Sequence, residues 1–279
     1  MNGTLTVACV QTNSARDIAT NLEMVPPLVW AARGAGAEFV LLPENVGMLE
    51  PDPALWREKA LAEDGHPALA AFSAVARDAG VWLLIGSLAI RLADDRVVNR
   101  SILLDGNGAI VARYDKIHLF DVDLDGGESY RESASVVSGD RAVVAATPWG
   151  RLGMSVCYDL RFPHLYRSLA KAGADFLSIP AAFTRTTGRA HWHVLQRARA
   201  IETGCYVFAP AQCGAHAMGR ETFGHALIVD PWGVVLADAG EDVGFIVAEI
   251  DVAAVADARR RIPALCHDRP FAEPDAAPR

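Results

Sequence analysis

The chain has 279 residues, half of them apolar and 22% charged, which is enough for one large domain with a substantial core or two small ones. A formal net charge of −8 argues against nucleic acid or an anionic membrane as the main partner, and no apolar run reaches the roughly 18 residues of a membrane span. The five cysteines, Cys9, Cys157, Cys205, Cys213 and Cys266, form no CxxC, and no basic region precedes the apolar N-terminus. The expectation is therefore a leaderless cytoplasmic protein without a disulfide framework or zinc ribbon.

Apolar runs and breakers predict strands over 4–10, 38–43, 81–87, 98–104 and 109–114, with helices over 17–35 and 66–79. Pro26-Pro27 predicts a kink or a late start in the first helix. The second half predicts strands over 152–157, 175–180, 205–210, 225–230, 234–238 and 244–250, with helices over 163–172 and 190–203. Pro163 suits a first helical turn. FVLLP and FLSIP are continuously apolar, as strands buried on both faces are. Residues 1–254 read as one domain. Residues 255–279, rich in Pro and Arg with little periodicity, read as a C-terminal arm packed on a neighbouring subunit.

The two halves repeat. AGAEFVLLPE at 35–44 matches AGADFLSIPA at 172–181, GVWLLIGS at 80–87 matches GCYVFAPA at 204–211, and SILLDGNGAIVAR at 101–113 matches ALIVDPWGVVLAD at 226–238. Two copies of this length exclude a solenoid and indicate internal duplication with approximate two-fold symmetry. Strands alternating with helices give an α/β fold, and the Asp-x-x-Gly turns at Asp105 and Asp230 make the sheets mixed. Two sheets packed face to face with helices outside accommodate both halves.

In such folds, sites gather at carboxyl ends of strands. Glu44 ends the strand at 38–43, Cys157 ends that at 152–157, and Tyr114-Asp115-Lys116 ends that at 109–114. A thiol at a strand-to-helix turn is exposed to the positive end of the helix, which lowers its pKa; the alternative is a small core residue. Desolvation at a buried strand end raises a carboxylate's pKa towards that of a general base; the alternative is a surface charge. A lysine in a cleft stabilises a developing oxyanion, although most lysines are solvated.

LLPEN, YDKIHLFD and GMSVCYDLRFP, roughly 70 and 40 residues apart, resemble the three signature segments of the nitrilase superfamily of carbon–nitrogen hydrolases. The resemblance covers almost the whole chain. It implies a four-layer αββα sandwich with internal two-fold pseudosymmetry, a cofactor-independent amidase working through a Cys thioester, and a homodimer or larger homo-oligomer acting on a small-molecule amide. It implies Glu44 as general base, Lys116 as oxyanion stabiliser with the Tyr158 N–H, and Cys157 as nucleophile. The second active-site glutamate of the family falls on Glu132, seven residues before Gly139, with Glu128 left solvated.

RFPHLYRSLAKAGAD, PAAFTRTTGRAHWHVLQRARAIETGCYVFAPAQCG and GHALIVDPWG are similar to the omega-amidase and deaminated-glutathione amidase branch. That implies a short α-keto acid amide such as deaminated glutathione or α-ketoglutaramate, with an N-carbamoyl amine or amino acid as the alternative. The substrate carboxylate needs a cation, for which Arg161 and Arg185 are candidates. Thr186 and Thr187 would add hydrogen bonds, and Ala181 and Ala182 would line the substrate's space. RFPEL and AHWEV are the common forms in that branch; here His164 and His193 replace the two glutamates. A metal site on His191, His193 and Cys157 lacks a further spaced carboxylate–His set, so none is expected. A Cys–His hydrolase using His118 and a non-catalytic binding protein are the remaining rivals.

Overall fold

The strand Thr4–Thr12 sends alternate side chains to opposite faces, and both faces are dry. Leu5, Val7 and Cys9 enter one core, while Ala8 and Val10 enter another. The computed structural model describes residues 3–124 and 129–272. Its larger sheet runs, in spatial order, Glu221–Phe223, Ala211–Ala215, Thr4–Thr12, Phe39–Leu41, Trp82–Arg91, Val97–Leu104 and Ile110–Asp115, with Gly244–Asp251 also paired to Thr4–Thr12. The smaller sheet runs Val235–Asp238, Leu227–Val229, Tyr206–Ala209, Phe176–Ser178, Gly150–Met154 and Val143–Thr147.

The duplication is visible in these pairings. Thr4–Thr12, Phe39–Leu41 and Trp82–Arg91 are parallel neighbours, followed by antiparallel Val97–Leu104 and Ile110–Asp115. Gly150–Met154, Phe176–Ser178 and Tyr206–Ala209 repeat that order, followed by antiparallel Leu227–Val229 and Val235–Asp238. Each half also has an antiparallel strand beside its first strand, Gly244–Asp251 in one and Val143–Thr147 in the other.

Helices α1 (Ile18–Gly34), α2 (Pro53–Lys59), α3 (Pro67–Ala79), α4 (Pro163–Lys171), α5 (Arg185–Thr203) and α6 (Ala253–Arg261) complete the fold. Val25, Val29 and Ala32 of α1 and Phe72 and Ala76 of α3 cover the outer face of the larger sheet. Tyr166 and Leu169 of α4 and Trp192 and Ala200 of α5 join the smaller sheet's core. Between the sheets, Trp149 stacks on Phe39 at 6.3 Å and meets Trp82 edge-on at 6.2 Å. This is the αββα sandwich. No helix among the described residues is long and apolar enough to cross a membrane.

The sequence expectations omit α2 and the strands at 143–147, 211–215 and 221–223, and other elements differ in their bounds. Helix α1 runs over Ile18–Gly34, matching the expected 17–35 without the late start that Pro26-Pro27 suggested, and is capped by the Asp17 carboxylate at 2.9 Å from Thr20 N. Its buried stripe carries it through Pro26 and Pro27, so tertiary packing overrides local propensity. Helix α5 begins at Arg185, ahead of the predicted 190, because the polar RTTG run forms its first turn. Strands end early at Leu41 and Met154, leaving Glu44 and Cys157 each three residues beyond. Finally, the chain does not leave the body at 255. Val255 and Ala258 of α6 are buried, Arg259 donates to the carbonyls of Ala174 (2.6 Å) and Thr203 (3.1 Å), and Asp268 pairs with Arg167 and Lys171 of α4. Through Asp268, this segment packs on its own chain.

Two glycines make room at the strand ends that matter. A Cβ on Gly86 would lie 2.0 Å from Leu42 O, beside the turn to Glu44, and one on Gly139 would lie 2.2 Å from Asp115 O, beside Lys116. Gly86→Ala is expected to cost about 1–3 kcal/mol through overpacking against backbone, whereas Gly34→Ala, with open space at its Cβ, should be neutral or stabilising. Urea denaturation midpoints of the two variants check this.

Candidate active site

Glu44, Lys116 and Cys157 come from three strand ends and meet around one amine. Lys116 Nζ lies 2.9 Å from Glu44 Oε1 and 3.0 and 2.8 Å from the two oxygens of Glu132. Asn99 Nδ2 bridges the same carboxylates, at 2.9 Å from Glu44 and 3.3 Å from Glu132. The other Glu44 oxygen accepts from Ala182 N–H at 2.8 Å, and Glu132 accepts from Phe120 N–H at 2.7 Å. The Cys157 thiol lies close enough to Glu44 for the carboxylate to act on its ionisation. Sharp turns present both ends: Cys157 has φ 50° and Asn45 has φ 58°. Non-glycine residues hold such conformations only where their surroundings fix them. Here Cys157 N–H donates to Pro180 O at 2.9 Å and Asn45 N–H to Ser87 Oγ at 2.9 Å.

A third carboxylate organises the turns. Asp159, fully buried, accepts from Tyr114 OH (2.7 Å), His118 N–H (3.0 Å) and Val156 N–H (2.8 Å), and its Oδ1 lies 2.7 Å from His118 Nδ1. It therefore ties the Lys116 segment to the Cys157 turn across the two halves.

The family model for carbon–nitrogen hydrolases matches residues 6–260. The chain belongs to the carbon–nitrogen hydrolase family. It is 43% identical over 265 residues to a deaminated glutathione amidase of Synechocystis sp., covering 93% of this chain and 96% of that one. Among solved structures, Saccharomyces cerevisiae Nit3, described as a member of branch 10 of the nitrilase superfamily, superposes with a TM-score of 0.84 at 27% identity, covering 93% and 94% of the chains. An amidase of Nesterenkonia sp. AN1, whose active-site cysteine carries a Michael adduct of acrylamide, gives 0.78 at 26% identity, covering 93% and 98%.

The charge states of this carbon–nitrogen hydrolase differ from those expected of the isolated residues. Burial pushes the Cys157 thiol well up, the Glu44 charge adds to this, and Lys116 opposes it without prevailing. The turn after Cys157 is a short 3-10 segment, Cys157–Arg161, and the thiol is only 7% exposed; the expected exposure and lowered pKa are not found. Burial also works to raise the Glu44 pKa, but the Lys116 charge and the hydrogen bonds from Lys116 and Ala182 outweigh it and hold the carboxyl below its ordinary value. For Lys116, desolvation is outweighed by Glu132 and Glu44, which keep the ammonium charged well above the usual range. The resting arrangement is a neutral thiol beside an ionised Glu44–Lys116 pair.

A cavity of about 420 Å³ opens over the three groups, within the range of small-molecule sites. Glu132, Tyr158, Ala182, Arg185, Thr186 and Thr187 line it, as do Arg131 and Arg220. Ala181 does not: it is fully buried, bonded to Pro210 O and Gln212 N. Arg161 does not either, because the 3-10 turn carries its guanidinium between the Tyr158 and Phe183 rings, 5.9 and 5.3 Å away. His118 stacks on Phe162 at 3.6 Å and is held by Asp159, so it does not form a Cys–His pair. His191 lies 3.3 Å from Arg161, and His193 bonds Asp238; neither joins Cys157 in a metal set. Glu128 lies outside the described residues.

Asn99, Asp159 and Arg220 were not singled out in the sequence. Asn99 is the one amide within the strand-like VVNRSILL run, and Asp159 lies two residues after Cys157 at the end of an apolar strand; both are sequence signals. Arg220, in a polar loop, gave no signal.

Above the ordinary carboxylate pKa the depressed Glu44 contributes stability that is lost as pH falls through its lower folded value, whereas the raised Lys116 contributes until pH climbs through its own. Lys116→Met leaves both carboxylates without a cation, with only Asn99 and the N–H groups of Ala182 and Phe120 as donors. It should destabilise the protein by about 3–5 kcal/mol near neutral pH, and the gap to wild type should narrow as pH falls towards 5, because buried Glu44, no longer held down by the lysine charge, then takes up a proton. Urea midpoints from pH 7.5 to 5 check the sign.

Proposed function

We propose that the protein is an amidase that hydrolyses a small α-keto acid amide, deaminated glutathione, through a thioester on Cys157. The observation that carries this reading is the convergence of Glu44, Lys116 and Cys157 on one cavity, and the deaminated glutathione amidase activity named for the Synechocystis relative supports the substrate. The Cys157 sulfur attacks the amide carbonyl as Glu44 takes the thiol proton. Because the resting state holds a high-pKa thiol beside a low-pKa carboxylate, the thiolate forms with the attack rather than before it.

The oxyanion is held by Lys116 and by the Tyr158 N–H, which has no acceptor among the described residues. Lys116 frees a donor by releasing its longer bond to Glu132, at 3.0 Å. Collapse breaks the C–N bond as Glu44 returns the proton to the leaving amine. Water then gives a proton to Glu44, attacks the thioester, and releases the acid and the thiol. Glu132 and Asn99 position Lys116 and Glu44.

The substrate carboxylate needs a cation not already neutralised. Arg185 pairs with Glu221 and Glu241, and Arg131 pairs with Asp123 at 2.8 Å. Arg220 has no carboxylate partner among the described residues: it donates to Ala182 O at 3.1 Å, lies over the Tyr130 ring at 5.6 Å, and keeps a buried Nε without a bond. We assign it the carboxylate in place of Arg161, with Thr186 and Thr187 beside it. Ile201, Trp232 and Ile262, each about half exposed around one depression, are suited to a homodimer contact.

Purified protein should release the dipeptide from deaminated glutathione. Cys157→Ala should abolish turnover, and Glu44→Gln should lower kcat by about 10²–10⁴-fold. Arg220→Met should raise KM for the keto acid amide at least tenfold while leaving an amide without a carboxylate unaffected. Inactivity on α-keto amides together with turnover of N-carbamoyl amino acids would overturn the substrate assignment.

A further inference from the structure

Away from the cavity, metal-ligating side chains from three elements converge. His193 lies two turns into α5, His225 follows the strand Glu221–Phe223, and Asp238 ends the strand Val235–Asp238. His193 Nε2 is 2.9 Å from Asp238 Oδ2, and His225 Nδ1 is 2.9 and 3.1 Å from the two Asp238 oxygens. One ligand atom from each residue lies within 4.8 Å of the others. The cluster is built rather than incidental. His225 holds a left-handed backbone, φ 54°, with its ring stacked on Phe223 at 4.5 Å and its carbonyl bonded by Trp192 Nε1 at 2.7 Å. Asp238 is oriented by Gly240 N–H at 2.9 Å.

We propose that His193, His225 and Asp238 bind a divalent transition-metal ion, with zinc the best fit, that braces α5 against the Glu221–Phe223 segment. Two imidazoles and one carboxylate are a borderline donor set, favouring zinc, cobalt or nickel over magnesium and calcium. Bonds of about 2.0–2.1 Å to a tetrahedral ion put ligand atoms roughly 3.3 Å apart. The His–Asp separations fall a few tenths of an ångström short of that value and the remaining pair lies within 4.8 Å, so the ion replaces the present hydrogen bonds with small side-chain movements. All three side chains are between one-fifth and two-fifths exposed, leaving an entry path and solvent access for a fourth ligand.

None of the three residues lines the cavity, so the ion acts on structure rather than on the reacting bond. It ties two walls of that cavity together, because Arg185 and Thr187 open α5 and Arg220 directly precedes Glu221. His193 decides the site. Glutamate, common at this position in the branch the sequence resembles, replaces an imidazole ligand with a second carboxylate beside Asp238.

Titration of metal-free, full-length protein with Co²⁺ tests this. The expected result is one saturable visible d–d absorption, without a thiolate charge-transfer band in the near ultraviolet. Zn²⁺ should displace it and raise Tm. His193→Glu and Asp238→Asn should each lose the cobalt signal at least tenfold in affinity while keeping the metal-free Tm near that of wild type. No saturable cobalt site, a thiolate band implicating Cys157 or Cys266, or unchanged affinity in both variants would overturn the proposal.

Discussion

A lysine ammonium buried between two carboxylates governs the rest of this molecule. Taking Lys116, Glu44 and Glu132 out of water is costly, and the cost is met only if every charge has a partner at hydrogen-bond distance. That condition is geometric. Glu44 comes from the end of the strand at 39–41, Lys116 from the end of the strand at 110–115, and the Ala182 N–H beside Glu44 from the other half of the chain. The cluster is therefore complete only when the two sheets have packed and Ala182 has reached Glu44. Gly86 and Gly139, where a side chain would collide with backbone, allow the last approach.

The same cluster sets the chemistry available to the thiol. A cysteine beside an isolated lysine would ionise readily. Here two carboxylates claim that lysine, and the surrounding burial favours the neutral thiol. A protected thiol that becomes reactive only when a carbonyl is seated avoids standing oxidation, since thiolate character controls that chemistry. Asp159 contributes differently: it meets its hydrogen-bonding needs within the Lys116 and Cys157 segments, so the two segments move as one.

Much of this was legible in the sequence because the repeat and the apolar runs are local signals. The duplication, both sheets' central strands and the three strand-end groups could be read directly. Charge states could not, because they depend on partners distant in sequence: desolvation was visible at Glu44, but the Lys116 and Ala182 contacts that reverse its effect were not. Arg161 and Arg220 show the same limit. Proximity to Cys157 in sequence suggested Arg161, yet a single 3-10 turn rotates it onto the Tyr158 and Phe183 rings, while Arg220 arrives at the cavity from a loop more than sixty residues away. The early start of α5 was hidden by RTTG, which reads as loop until a helix packs against it.

The repeated segments AGAEFVLLPE and AGADFLSIPA explain how a symmetric scaffold makes one asymmetric site. Glu44 and Ala181 occupy equivalent places, three residues past Leu41 and Ser178. A second carboxylate at Ala181 would enter a fully buried position already closed by the strand at 211–215. It would also stand next to the residue whose N–H serves Glu44. With alanine there, the second copy contributes what a backbone can, a single donor from Ala182 aimed at the first copy's carboxylate at 2.8 Å. One half thus supplies the charge and the other supplies the dipole that orients it. Symmetry is kept in the strands, where packing needs it, and broken at their ends.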